Sequence, residues 1–117
     1  MDHKQVITKF GFLVDEKLKD IIELLNDNNY YTVNSCQNQE HLNNVTWICF
    51  DADVVNDFMI KIFAKNIELY DYLSYSDWEI ICDVDHEFNG QVLTSLRFPS
   101  KDLEGITKTL KQIFKSP

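Results

Sequence analysis

The sequence is poor in arginine, in closely spaced cysteines and in long apolar runs. Its three cysteines, Cys36, Cys49 and Cys82, are widely separated and form no Cys-x-x-Cys pair, which excludes the usual zinc knuckle and disulfide framework. No apolar run approaches the roughly 18 residues that span a bilayer, and the N-terminus lacks a signal-peptide core. We therefore expect a soluble, cytoplasmic protein with no cofactor and no membrane contact, in which Cys49 and Cys82 are buried in strands.

What the chain does contain is enough apolar material for one folded domain. It has 117 residues, of which 44% are hydrophobic and 13% aromatic. This length falls in the commonest range for a single domain, and the composition is that of a globular protein rather than a disordered one. We expect one domain over residues 1–117 with a sizeable core.

Excess negative charge is confined to the middle of the chain. The net charge is −8, from 19 acidic and 11 basic residues. Residues 51–87 hold ten acids and two bases and so carry the whole excess, because the remaining nine acids balance the remaining nine bases. The acids of this segment are Asp51, Asp53, Asp57, Glu68, Asp71, Asp77, Glu79, Asp83, Asp85 and Glu87.

This distribution of charge separates classes of partner. A protein that binds nucleic acid directly needs clustered lysine and arginine to neutralise phosphates, yet Arg97 is the single arginine and no basic cluster occurs in the sequence. An acidic surface can serve solubility alone. It can also attract a basic protein or imitate a run of phosphates. We expect a basic protein partner and no direct binding of nucleic acid.

Hydrophobic periodicity predicts seven elements in the order α-β-β-α-β-β-α. Helical spacing of apolar residues marks three amphipathic helices, and runs of aromatic and β-branched residues mark four strands. A further short strand is predicted around Val6, Ile7 and Phe10, and a helical turn with a loop over residues 67–77. The apolar stripes of the helices span residues 14–25, 55–63 and 103–114, and the strands cover residues 30–36, 45–50, 78–84 and 92–98.

Polar signals mark the ends of these elements. Asp15, Asp51 and Ser100 are suited to helix N-caps. The Asn-rich segment 26–29 suits a helix end with left-handed geometry. Asn89-Gly90 predicts a hairpin turn between the last two strands.

Together the elements predict an α+β fold. A single antiparallel-rich, four-stranded sheet with helices on one face would bury the three apolar stripes. The strand VTWICF is apolar on both faces, which indicates a central position in the sheet. Residues 14–50 are echoed by residues 51–98, and this similarity predicts an internal αββ repeat.

The stretch from Gly11 to Cys36 resembles a known family. Its matching positions are Gly11, Asp15, Leu25-Asn26, Tyr30, Tyr31, Thr32 and Ser35-Cys36. They resemble the N-terminal part of the wybutosine-synthesis tRNA methyltransferase family, whose signature runs helix, Asn, Tyr-Thr and Ser-Ser-Cys-Ser-Gly-Arg. The stretch is also similar to small phage and bacterial proteins with a Thr-x-x-Ser-Cys-Gln-Gly motif. The resemblance covers about half of the chain and implies that Asp15, Ser35 and Cys36 are motif positions.

The chain departs from both patterns shortly after Cys36. Gln37 still matches the second pattern, but Asn38 and Gln39 follow it without the glycine that both patterns have near this point, and without the arginine of the first pattern. Glycine allows a ligand to approach the backbone closely, and arginine pairs with phosphate or carboxylate. The resemblance therefore implies the fold. An RNA-modification-type enzyme or ligand-binding domain, with Ser35 and Cys36 near its site, is the alternative function.

Tyrosines interleaved with acids form the first candidate site. Tyrosine and tryptophan are common anchors of protein interfaces, and the surrounding acids suit a basic partner. Core packing is the alternative for each aromatic residue and is expected for Trp78. The predicted partner-binding residues are Glu68, Tyr70, Asp71, Tyr72, Tyr75, Asp77 and Glu79.

A thiol and a histidine form the second candidate. Cys36 is followed by His41, which could act as its base. Nucleophilic catalysis also needs donors for the oxyanion, and no third group is evident. We therefore expect no catalytic residue.

Two acidic clusters could bind a hard cation. Asp83, Asp85, His86 and Glu87 offer ligands for Mg²⁺ or Ca²⁺, although their spacing is not that of a calcium loop. A solvated hairpin tip is the preferred interpretation, and helix capping accounts for the cluster that begins at Asp51. We expect no metal site.

These observations predict a small, acidic, non-enzymatic binding protein. It would act as an inhibitor or adaptor that engages the basic, nucleic-acid-binding surface of a protein, a role suited to a phage or another mobile element. The enzyme alternative and an oligomeric scaffold, assembled through strand edges or helix faces, remain open on the sequence.

Overall fold

A four-stranded antiparallel sheet, preceded by a small hairpin, organises the fold. The computed structural model describes residues 4–39, 45–69, 71, 78–85 and 91–115. The strands are β1 (Gln5–Ile7), β2 (Leu13–Asp15), β3 (Thr32–Gln39), β4 (Val45–Asp51), β5 (Glu79–Asp85) and β6 (Gln91–Pro99). The α-helices are α1 (Lys19–Asp27), α2 (Ala52–Phe58) and α3 (Leu103–Lys115). Short 3₁₀ turns (Glu16–Leu18 and Ser100–Asp102) lead into α1 and α3, and a π-helical segment (Met59–Phe63) continues α2.

The strand order is β3-β4-β6-β5, and all neighbours are antiparallel. The predicted α+β class and four-stranded antiparallel sheet are confirmed. So is the interior position of the VTWICF strand, which becomes β4. Ile48 and Phe50 are almost fully buried on one face of β4. On the other face Cys49 is buried and Trp47 is half-buried, so both faces carry apolar side chains. The internal αββ repeat stays a prediction.

The core lies between one face of this sheet and the three helices. Ile48 and Phe50 alternate along β4, and Leu96 and Phe98 alternate along β6, with Ile48 directly opposite Leu96. These side chains form a single buried cluster with the apolar stripes of the helices. The helical members include Leu18, Ile21, Ile22, Leu25, Val55, Phe58, Phe63, Leu103, Ile106 and Leu110.

A line of aromatic rings runs through this core. Tyr30 contacts Phe58 with ring centroids 5.1 Å apart, and Phe58 contacts Phe63 at 5.3 Å. Trp78 lies between Phe63 at 5.2 Å and Phe98 at 4.8 Å. Aromatic pairs at these separations add stabilisation beyond their buried area. The expectation that Trp78 completes the core is confirmed.

The start of the chain differs from its prediction. Residues 13–15 form β2, paired with β1 through Val6 opposite Val14, whereas the sequence pattern included Val14 in the apolar stripe of the first helix. Gly11 has φ +92° and allows the intervening turn, which closes with Thr8 N–H donating to the Phe12 carbonyl at 2.9 Å. Val14 is buried like the helical stripe, so its spacing fits a helix although its backbone is extended.

Of the three predicted N-caps, Asp51 caps its helix with its side chain, Asp15 occupies the N-cap position without a side-chain bond, and Ser100 does not occupy the N-cap position. Asp51 caps α2, because its Oδ1 accepts a 3.0 Å hydrogen bond from the Asp53 amide. Asp15 precedes the first helical turn without a side-chain cap and instead accepts a 3.4 Å bond from Gln5 Nε2 in the β1–β2 hairpin. Ser100 lies inside the turn before α3, and its hydroxyl contacts the buried hydroxyl of Thr46 at 2.8 Å.

The end of α1 follows the predicted left-handed geometry. Asn29 has φ +69°. The Tyr30 amide donates to the Leu25 carbonyl at 2.9 Å, and the Asn29 amide donates to the Asn26 carbonyl at 3.2 Å, the paired bonds of a Schellman motif. The buried Asn26 side chain then bonds to Thr32 at the start of β3. This segment therefore sets the direction in which β3 leaves the helix.

Two points complete the fold. The predicted Asn89-Gly90 turn lies outside the described residues, although the strands that it would join do pair with each other. None of the helices in the described ranges has the length and apolar character needed to cross a membrane.

Candidate functional site

Three of the predicted partner-binding acids are exposed in the structure. Asn66 Oδ1 accepts bonds from the amides of Glu68 and Leu69, at 3.1 and 3.3 Å, and so begins a helical turn at residues 67–69. Leu69 is fully buried, which anchors the turn and leaves Glu68 facing solvent. Asp71 and Glu79 are exposed as well.

The remaining members of this predicted site lie outside the described residues. They are Tyr70, Tyr72, Tyr75 and Asp77. Their role as interface anchors therefore stays a prediction from the sequence.

The three exposed carboxylates have no ion-pair partner among the described residues. Lysines elsewhere are engaged with other acids: Lys61 with Asp57 at 3.1 Å, Lys4 with Glu16 at 3.1 Å, Lys111 with Asp20 at 3.4 Å, and Lys9 with Asp27. Glu68, Asp71 and Glu79 take part in none of these pairs. No salt bridge between described residues therefore compensates their charge.

Glu79 begins β5, the strand at one edge of the sheet. The register places it opposite Arg97 of β6, and places Asp83 opposite Leu93 and Asp85 opposite Gln91. Arg97 is half-buried, its Nε has no hydrogen-bond partner among the described residues, and it forms no ion pair with Glu79. One edge strand thus carries three acids and no base. Sequence reasoning grouped these acids by position but did not place them on an edge.

Two neighbouring motif positions lie in β3. Ser35 is half-buried and opposite Ile48, while Cys36 is opposite Trp47. His41, the predicted base for Cys36, lies outside the described residues. The enzyme alternative therefore stays a prediction, without described geometry around the thiol.

The other two cysteines have different environments. Cys49 is buried, as predicted, but Cys82 is exposed, so the prediction that both are buried is wrong for Cys82. The reason is the strand order, because Cys82 lies in β5 at the edge of the sheet. Its sulfur is 3.5 Å from the Thr94 hydroxyl in β6.

The acids at the start of α2 have structural roles. Asp51 caps the helix, and Asp57 pairs with Lys61 one turn later. This pairing raises the pKa of Lys61, chiefly through the hydrogen bond to Asp57. Within the described ranges, no three His, Cys, Asp or Glu side chains are grouped so that they could hold a metal ion. His86 and Glu87 lie outside those ranges.

Sequence reasoning missed one basic surface. An open groove of about 720 Å³ lies between the start of α1 and α3. Four lysines line it with only two acids, although neighbouring acids balance these lysines in the linear sequence. Helical spacing could have shown that Lys101, Lys108 and Lys111 recur at the start and along one side of α3. The charged lining residues are Lys17, Asp20, Lys101, Glu104, Lys108 and Lys111.

Comparisons with known proteins add no identification: no family model, no curated protein and no solved structure matches this chain.

Proposed function

We propose that this protein is a non-enzymatic inhibitor or adaptor that binds a basic protein through its acidic middle segment. The observation that carries the proposal is the exposure of Glu68, Asp71 and Glu79 without an ion-pair partner among the described residues. A group of exposed negative charges attracts a basic surface over about a Debye length, ~8 Å at physiological salt, and accelerates its association.

The class of partner follows from the same charges. Phosphates would be repelled by a chain of net charge −8, whereas a protein that binds nucleic acid presents clustered lysine and arginine. An acidic surface of this kind would compete with nucleic acid for such a protein. An origin in a phage or another mobile element is part of this proposal, and the small size and acidity of the chain support it.

The first step of the test identifies a partner. The tagged protein is used for affinity capture from an extract of its native host. The capture is carried out at low and at high salt, with and without nuclease treatment of the extract. We expect a protein of net positive charge that is retained at low salt and lost at high salt. Capture that disappears with nuclease treatment would show a nucleic-acid ligand, and either that result or the absence of any basic protein would overturn the proposal.

The second step measures the affinity of the purified partner. Reversing the charge of Glu68, Asp71 and Glu79 to lysine should weaken binding by about ten- to one-hundred-fold, since each exposed pair contributes ~0.2–1 kcal/mol and reversal makes it repulsive. The matched control reverses Glu16, Asp20 and Glu104, which are also exposed but lie outside residues 51–87. Equal loss of affinity in the two variants would mean that only net charge matters, and that result would contradict a defined acidic site.

A further inference from the structure

The outer edge of β5 is a hydrogen-bonding surface that no described strand uses. β5 ends the sheet and pairs on one side with β6 over all seven residues. No strand among the described residues pairs with its other side. An edge strand presents a row of backbone N–H and C=O groups that can template another strand.

The two edges of the sheet differ in how far they are protected. β3, at the opposite edge, has two register shifts, between Thr32 and Asn34 and between Cys36 and Gln39, and such irregularities discourage pairing. β5 has no register shift against β6, and it contains neither proline nor lysine. Of the two edges, β5 is therefore the better template.

Exposed apolar side chains accompany this edge. Ile80 in β5 is 53% exposed, and Val92 in β6 is 46% exposed. The register places Ile80 opposite the buried Leu96, so Ile80 lies on the core side of the sheet but beyond the cover of the helices. A strand added next to β5 would cover Ile80 and extend the core face by one strand.

Charge determines which strand can be added. β5 contains Glu79, Asp83 and Asp85 and no basic residue. A second copy of the chain would pair badly, because an antiparallel pairing centred on Cys82 aligns Glu79 with Asp85 at both ends. Like charges placed directly opposite each other on adjacent strands destabilise the pair. A segment with basic residues would instead pair favourably at the same positions.

We propose that β5 receives an extended segment of a partner protein by strand addition, and that this segment alternates basic residues with apolar ones. Backbone hydrogen bonds along β5 would provide the affinity, the basic residues would lie opposite the acids, and the intervening apolar residues would cover Ile80. This inference rests on the proposed function, and it adds the mode of binding and the pattern of the partner sequence.

The first test uses synthetic peptides of about eight residues, the length of a typical strand. The probes are an alternating Lys-Val peptide, an alternating Glu-Val peptide and a peptide of the Lys-Val composition arranged in two blocks. We expect the alternating basic peptide to bind at least about five-fold more tightly than the block peptide, and the acidic peptide not to bind. Equal binding of the two basic peptides would overturn the proposal, because charge alone would then suffice.

The second test examines the backbone directly. In an extended strand, alternate residues direct their N–H groups to opposite edges. Two versions of the Lys-Val peptide, N-methylated at odd or at even positions, each therefore lose the donors of one edge. For each version, binding is compared with that of the unmodified peptide. Strand addition predicts that one version loses binding and the other retains it, while loss or retention by both would contradict pairing through one edge.

The third test locates the peptide on the protein. Amide hydrogen exchange should show new protection at alternate residues of β5, with no change in β3. Glu79→Lys should weaken binding of the alternating basic peptide by about five-fold or more. Glu104→Lys, an equal change of charge on α3, should leave that binding unchanged. If reversing the charge of Glu68, Asp71 and Glu79 abolishes binding of the partner while the β5 amides stay unprotected, strand addition is wrong and the proposed function stands. If that charge reversal leaves the affinity for the partner unchanged, the proposed function fails as well.

Discussion

Asn26 connects the end of α1 to the start of β3, and its removal should destabilise the protein more than that of any neighbouring asparagine. The side chain is 7% exposed. Its Nδ2 donates to the Ile22 carbonyl at 2.8 Å and to the Thr32 hydroxyl at 3.1 Å, and its Oδ1 accepts from the Thr32 amide at 3.3 Å. Asn26→Ala removes these bonds and leaves two polar groups of Thr32 unpaired in a partly buried site.

The magnitude follows from these contacts. Each of the two bonds to Thr32 contributes ~1 kcal/mol net, and leaving the amide unpaired adds a desolvation penalty. The bond to Ile22 matters less, since that carbonyl is in position to accept the regular helical bond. Alanine regains ~0.5 kcal/mol in helix propensity. The expected cost is about 2 kcal/mol, and with a urea dependence of ~1.5 kcal/mol per molar the midpoint should fall by about 1.3 M.

Asn28→Ala is the matched control for this measurement. Asn28 is two residues away and makes a single side-chain bond, from Nδ2 to the Leu24 carbonyl at 2.8 Å, so we expect a cost below about 1 kcal/mol. Urea unfolding followed by circular dichroism measures both variants. A double-mutant cycle with Thr32→Val then isolates the Asn26–Thr32 hydroxyl bond. Equal destabilisation by Asn26→Ala and Asn28→Ala would refute the assignment of Asn26 as the connection between helix and strand.

Two further predictions concern the same segment. Asn29 has φ +69°, so Asn29→Ala should cost about 1 kcal/mol in urea unfolding while Asn29→Gly should be neutral or stabilising, and a reversed order would contradict the left-handed helix end. Burial first, and then the charge of Asp57, raise the pKa of Tyr30 above its ordinary value of about 10. The pKa of Tyr30 is therefore higher in the folded than in the unfolded protein. The stability that this difference contributes is complete below the unfolded-state pKa and is lost as pH rises through the folded-state pKa. Tyr30→Phe should therefore flatten the loss of stability above about pH 10, and an unchanged slope between pH 9 and 11 would argue against this assignment.

Local signals were sufficient for most elements of the fold. The buried stripe from Leu18 to Leu25, the cap at Asp51 and the left-handed residue in the Asn-rich segment each depend on residues within a few positions of one another. Where two local patterns coincide, as at Val14, periodicity cannot distinguish a buried strand residue from the first position of a helix. The hairpin at residues 5–15 is set by Gly11 and by pairing with Gln5–Ile7, and the spacing of apolar residues does not report that pairing.

The sequence revealed the charge of the candidate site but not the spatial arrangement of its residues. The acids of residues 51–87 were evident, whereas their roles differ in the structure: Asp51 caps a helix, Asp57 binds Lys61, and Glu79 begins an edge strand. The lysines of the α1–α3 groove come from segments far apart in the chain. Linear order separates such residues, and only long-range packing brings them together.

The sequence by itself determined the α+β class, the apolar stripes that form the core and the confinement of the net charge to the middle of the chain. These are properties of composition and of spacing within single elements. The tertiary structure decided that β5 is an edge strand paired on one side with β6, that Cys82 is exposed, and that Glu79, Asp83 and Asp85 all belong to this edge strand. The order of strands depends on which distant segments pair, and the balance of hydrogen bonds and burial that selects it exists only in the folded chain.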